Sequence, residues 1–94
     1  MASHVNELSI NYQEEELLVV KELDKVVLSS GAWATVMFKY QQWDKAKQQY
    51  SPERYTIRRY RKVGDDYRQQ SKFNISSNDQ AKKIIDALTK WVNE

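Results

Sequence analysis

Residues 33–43 read Trp33-Ala34-Thr35-Val36-Met37-Phe38-Lys39-Tyr40-Gln41-Gln42-Trp43. Ala34, Val36, Phe38 and Tyr40 alternate with Trp33, Thr35, Met37, Lys39, Gln41 and Trp43. That period of two is the signature of a half-buried β-strand. The segment contains no glycine or proline, so nothing interrupts it.

Working outward, the sparse breakers divide the rest. The chain of 94 residues has two glycines and one proline. Ser29-Ser30-Gly31 ends the run before Trp33, Tyr50-Ser51-Pro52-Glu53 follows it, and Val63-Gly64-Asp65-Asp66 reads as a hairpin tip. Three further extended segments follow. Leu17 to Ser29 is either one long bent strand or two short ones, and Glu14-Glu15-Glu16 before it is also compatible with a helix start. In Arg54 to Lys62, Tyr55 and Ile57 share one side, with Thr56, Arg58, Tyr60 and Lys62 on the other. Arg59 and Arg61 fall on the Tyr55 side, beyond the edge of the core. In Tyr67 to Ile75, strict alternation puts Arg68, Lys72 and Asn74 opposite Tyr67, Phe73 and Ile75.

After Ile75 the period changes. Ala81, Ile84, Ile85, Leu88, Trp91 and Val92 recur at helical spacing, predicting one helix over Asn78–Val92. Ser77 with Gln80 resembles a capping box, and Lys90 suits the C-terminal end of the helix dipole. The expected fold is therefore α+β: a curved four-stranded antiparallel sheet followed by one C-terminal helix packed on one face, with the other face open. The domain is expected over residues 17–94, preceded by an acidic arm over residues 1–16.

Charge is distributed unevenly. Residues 1–24 carry one lysine and six acids, a net −5; residues 25–75 carry eleven cations and four acids, a net +7; residues 76–94 are balanced. A basic middle beside an acidic arm points to a polyanionic partner. The arm is expected either to fold over the basic face and compete with phosphate, or to lie within the sheet.

The outward residues of the last three strands are expected to be Trp33, Lys39, Trp43, Arg58, Tyr60, Lys62, Arg68 and Lys72. Phosphates need cations, and unstacked bases need flat apolar partners. Lys39, Trp43, Arg58, Tyr60, Lys62, Arg68 and Lys72 are therefore the candidate residues for binding single-stranded nucleic acid. The alternative is a protein-interaction module using the exposed aromatic side chains, since cations and aromatics also serve ordinary solvated sheets. A third reading is an accessory subunit of an enzyme.

Catalysis finds no footing. There is no cysteine and one histidine, His4, near the N-terminus, so no thiolate metal site or Cys–His pair can form. Asp65-Asp66 reads as a turn, and no phosphate loop or dinucleotide fingerprint is present. No cofactor, metal or small-molecule substrate is expected. Met1 to Ile10 lacks the pattern of a signal peptide, no apolar run is long enough for a membrane helix, and the expected location is cytoplasmic.

Three strings resemble the transcriptional coactivator family positive cofactor four, including its small bacterial members. They are Lys25-Val26-Val27-Leu28-Ser29 followed by Trp33, Tyr55-Thr56-Ile57-Arg58-Arg59-Tyr60, and Lys72-Phe73-Asn74-Ile75-Ser76. The resemblance spans roughly residues 19 to 92. It implies a curved four-stranded sheet, a homodimer built largely through the C-terminal helices, and single-stranded DNA held across the sheets. By position it favours Arg58, Tyr60 and Lys72, then Lys39 and Trp43. The sequence departs from the family at Phe73 and Asn74, where a glycine is expected, in the long Gln42–Pro52 loop, and in the acidic N-terminus. The helix stripe is wide for one small sheet, which places Leu88, Trp91 and Val92 in the expected homodimer interface.

Overall fold

The computed structural model describes residues 3–94, so the first two residues of the expected arm lie outside the described residues. A short 3-10 turn, Val5–Glu7, is followed by strands β1 (Tyr12–Glu14), β2 (Leu17–Ser29), β3 (Trp33–Asp44), β4 (Gln49–Tyr50), β5 (Arg54–Val63) and β6 (Asp66–Ile75), then helix α1 (Asn78–Val92). All pairings are antiparallel, in the order β1-β2-β3-β5-β6, with β4 on the end of β3. The α+β class with one C-terminal helix is as expected, but the sheet has six strands and not four. The two extra strands are short. Glu14–Glu16, compatible with a helix start in sequence, instead closes a tight β1–β2 turn in which Glu15 has φ 55°. The long loop after Asp44 folds back through Gln49 and Tyr50.

Leu17–Ser29 is a single strand that bends by carrying two bulges, at Leu23 and Leu28, where the pairing with β3 slips by one residue. The β5–β6 hairpin closes over Gly64 and Asp65. Gly64 has φ 64°, a conformation glycine adopts without steric penalty in two-residue hairpin turns. Helix α1 starts where its capping residues place it. The Ser77 hydroxyl accepts from the Gln80 amide at 3.1 Å, and the Gln80 carboxamide reaches back to the Ser76 amide at 2.7 Å.

The core lies on one face of the sheet. Ala34, Val36 and Phe38 of β3 and Tyr60 of β5 are buried there with Leu8, and Val5, Ile10 and Tyr67 pack around them. The expected acidic arm thus supplies part of the core: Leu8 is only 5 % exposed. Lys25 pins this segment down, its ammonium donating to the main-chain carbonyls of Asn6 (2.6 Å) and Leu8 (2.7 Å). The Ile10 amide donates to Glu22 and the Glu22 amide to the Asn11 side chain. We call this the arm face.

Helix α1 lies on the opposite side, the helix face, meeting the sheet chiefly at β6, and none of its residues is buried. The expectation of one covered and one open face is therefore corrected. Apolar residues occur on both faces of β3, so each face receives a partial cover. Among the described residues no helix is long and apolar enough to cross a membrane.

Candidate nucleic-acid interface

The β5–β6 hairpin concentrates positive charge. Between residues 54 and 75 it carries Arg54, Arg58, Arg59, Arg61, Lys62, Arg68 and Lys72 against Asp65 and Asp66 alone. Directly paired residues of antiparallel strands project on the same side, so the register assigns each of these to a face. Ala34 pairs with Tyr60, Val36 with Arg58 and Phe38 with Thr56; Arg58 pairs with Lys72 and Lys62 with Tyr67. Arg58, Tyr60, Lys62 and Lys72 therefore share the arm face with the core of β3. Trp33 pairs with Arg61, Thr35 with Arg59, Met37 with Ile57 and Lys39 with Tyr55, and Arg61 pairs in turn with Arg68. These project on the helix face, as does Trp43 by alternation.

The single open face expected from sequence is thus split in two, for two physical reasons. The apolar side of β5, Tyr55 and Ile57, aligns with Met37 and not with Phe38. In β6, the pairing slips between Arg59 and Tyr60, leaving Gln70 as the extra residue. One inserted residue turns everything beyond it to the other side. Arg68 therefore parts from Lys72, and Tyr67 from Phe73.

On the arm face, Arg58 is half-buried and fixed. Its Nε donates to Thr56 Oγ1 at 3.2 Å and its Nη1 to the Gln69 carboxamide at 2.9 Å. Lys72 stands directly across the pairing from Arg58 and is exposed. The Lys62 ammonium lies 5.5 Å from the centre of the Tyr67 ring, whose hydroxyl donates to the Gly31 carbonyl at 2.6 Å. Tyr60 does not fit its expected role as a stacking platform: it is 6 % exposed and belongs to the core. Burial pushes its phenol above its ordinary range; Arg58 opposes this and Glu22 adds to it.

On the helix face, Lys39 forms an ion pair with Glu53 at 3.7 Å. Both side chains are well exposed, so the pair contributes little to stability. Trp43 is half-buried at the far end of β3, edge-on to Tyr50 with ring centres 5.1 Å apart. Tyr50 donates its hydroxyl to the Leu18 carbonyl, and its ring lies 5.1 Å from the Lys21 ammonium. Trp43 thus anchors β4. Trp33 is 42 % exposed at the other end of the strand, with the Arg59 guanidinium 4.6 Å and the Arg61 guanidinium 5.7 Å from its ring centre.

Arg59, Arg61 and Tyr67 were absent from the candidate residues read from sequence. Alternation marked Arg59 and Arg61 correctly as facing away from Arg58. The missing element was the register that lays them against Trp33. Among the described residues, the Lys39–Glu53 contact is the only ion pair. No cation of the hairpin is therefore neutralised by a carboxylate. No cluster of three or more metal-ligating side chains occurs among the described residues.

Expected dimer residues Leu88, Trp91 and Val92 are all exposed, Trp91 to 64 %. Between α1 and the helix face runs an apolar cleft of about 670 Å³, lined by Leu28, Met37, Ile57, Ile84, Ile85 and Leu88 among others. Comparison of the chain with family models, with characterised proteins and with solved structures yields no match.

Proposed function

We propose that this protein binds single-stranded nucleic acid without catalysing a reaction on it, and that the β5–β6 hairpin is the binding element. One observation carries the reading: seven cations against two acids in this hairpin, with no ion pair to any of them among the described residues. Cations not held by a carboxylate are available to phosphate oxygens, which they bind by charge-assisted hydrogen bonds. Arg58, Lys62 and Lys72 supply phosphate contacts on the arm face, and Arg58 is preorganised by its hydrogen bonds to Thr56 and Gln69. Tyr67, half-buried beside Lys62, takes the aromatic role expected of Tyr60. Ring surface beside the cations, as at Tyr67 next to Lys62, suits unpaired bases, whose faces are free to stack. The resemblance to positive cofactor four supports the same reading, including a transcription or DNA-maintenance role.

The test is a salt titration of oligonucleotide affinity for the wild type and Arg58→Ala/Lys72→Ala. Each lost phosphate contact lowers the slope of log K against log salt by about 0.7 for single strands. The double variant should therefore show a slope smaller by roughly 1.4 and weaker binding to all sequences. A wild type that binds no oligonucleotide at low salt removes the proposal.

The apolar cleft favours a second element of the reading: a homodimer. Helix α1 has no buried residue, yet its stripe from Ile85 to Val92 faces solvent beside an apolar sheet surface that includes Val26, Leu28 and Phe73. Stripe and surface are complementary in kind, and both belong to every copy, which is what a two-fold interface requires. A heterologous protein partner on this surface is the competing reading. A chain mass doubled in sedimentation separates the two.

A further inference from the structure

Resting on the proposed nucleic-acid function, we infer that the Trp33–Arg59–Arg61–Arg68 cluster on the helix face is a second phosphodiester site. One single strand occupies it together with the Arg58–Lys72 site by crossing the free edge of β6.

Three observations converge. First, the cluster is electrostatically uncompensated. Arg61 and Arg68 are directly opposed across the β5–β6 pairing. Like charges in that position destabilise a sheet. Arg59 and Arg61 both lie against one indole, at 4.6 and 5.7 Å. The indole face offers each guanidinium some attraction, but no carboxylate among the described residues pairs with any of the three. An anion bound among them relieves the repulsion, and guanidinium forks match phosphate oxygens well.

Second, the cluster is accessible. Arg59, Arg61 and Arg68 are exposed, and Trp33 keeps part of its ring open for a base. The apolar cleft proposed for the second copy involves the Met37–Ile57 row and reaches Leu28, beside Thr35 and its β5 partner Arg59. Trp33 lies four residues along β3 from Met37, about 13 Å at the rise of a strand. Seating a second copy in the cleft therefore leaves Trp33 and the Arg61–Arg68 pair free, with Arg59 at its border.

Third, the two basic sites flank a free edge. The strand order places β6 at one end of the sheet. β6 is exposed continuously from Arg68 to Asn74. Its cations alternate sides, with Lys72 on the arm face and Arg68 on the helix face, because of the bulge at Gln70. Without that bulge both would lie on one side. A flexible single strand can turn over such an edge and touch both; a duplex, stiff over this length, cannot.

The experiment compares wild type, Arg61→Gln/Arg68→Gln and Arg58→Ala/Lys72→Ala for binding to a short and a longer oligothymidylate, of about 4 and 12 nucleotides. The indole N–H resonance of Trp33, assigned with Trp33→Phe, reports occupancy of the helix face. With the 12-mer, the Trp33 signal should shift in step with the arm-face amides. The Arg61→Gln/Arg68→Gln variant should lose affinity at least several-fold and lower the salt slope by roughly 1.4. With the 4-mer, that variant should bind nearly as well as wild type, since one face suffices. Preserved affinity, salt slope and an unmoved Trp33 signal, with binding still lost in Arg58→Ala/Lys72→Ala, overturn the second site and leave the proposed function intact. Absence of binding by the wild type overturns both. A Trp33 shift that saturates at a different concentration from the arm-face amides overturns the shared strand, leaving two independent sites. Thermal melts confirm folding, and Arg61→Lys/Arg68→Lys, which keeps charge, should restore most of the salt slope.

Discussion

The N-terminal segment can be tested through Leu8, the one buried apolar side chain among the described residues that lies outside the regular sheet and helix. Leu8→Ala removes three carbon atoms from a cluster with Ala34, Val36, Phe38 and Tyr60. At about 0.8 kcal/mol per buried methylene, the transfer loss alone is roughly 2.4 kcal/mol. A cavity adds to this unless the surroundings collapse; buried Leu→Ala changes cost about 2–5 kcal/mol in all. The segment holding Leu8 is short and near the terminus, so it can settle toward β3, which keeps the expected value near 2–3 kcal/mol. For a domain of this size each kcal/mol lowers the melting temperature by about 4–8 °C, so a fall of roughly 10–20 °C is expected. Urea melts of Leu8→Ala and of Glu7→Ala, an exposed neighbour, should be compared at one protein concentration, because the proposed dimerisation would make the midpoint concentration-dependent. Glu7→Ala should stay within about 0.5 kcal/mol of wild type. If Leu8→Ala does the same, the segment is not part of the core, and the arm face lies open.

Lys25→Met should destabilise by about 1–2 kcal/mol, because it removes the ammonium bonded to the Asn6 and Leu8 carbonyls. Combined with Leu8→Ala it should cost less than the sum of the two, since both release the same segment; a strictly additive double variant argues against the shared role. Tyr60 gives a pH signature. Its folded-state phenol is raised above the ordinary value of 10.0. The unfolded chain therefore loses this proton first, so the contribution is full below about pH 10 and is lost as pH rises through the folded value. Denaturant melts between pH 8 and 11 should show a decline in wild type that is shallower in Tyr60→Phe; identical profiles refute the assignment. Leu88→Asp places a charge in the exposed apolar stripe of α1 and should halve the sedimenting mass while leaving the far-ultraviolet spectrum unchanged; an unchanged mass moves any dimer contact elsewhere.

Sequence alone marked the long elements, though it left Leu17–Ser29 open as one strand or two and did not reveal the short strands β1 and β4. Alternation at residues 33–43 and the breakers Gly31, Pro52 and Gly64 marked the four long strands to within a residue or so, because local steric rules act over a few positions. The change to helical period and the Ser77 cap placed α1 over the residues it occupies, Asn78–Val92. The accumulation of cations after residue 53 was equally plain. Tertiary structure decided what stands beside what. Whether Ile57 meets Met37 or Phe38 depends on register, which no single strand encodes, and a one-residue difference exchanges the two faces. The bulge at Gln70 then separated Arg68 from Lys72, and no turn residue announces it. Tyr60 reads like any exposed strand aromatic; only the return of Leu8 across β3, pinned by Lys25 from 17 residues away, buries it. Cations were countable from the chain, but their division between two faces of one edge is a property of pairing between strands, and pairing is settled by the whole sheet at once.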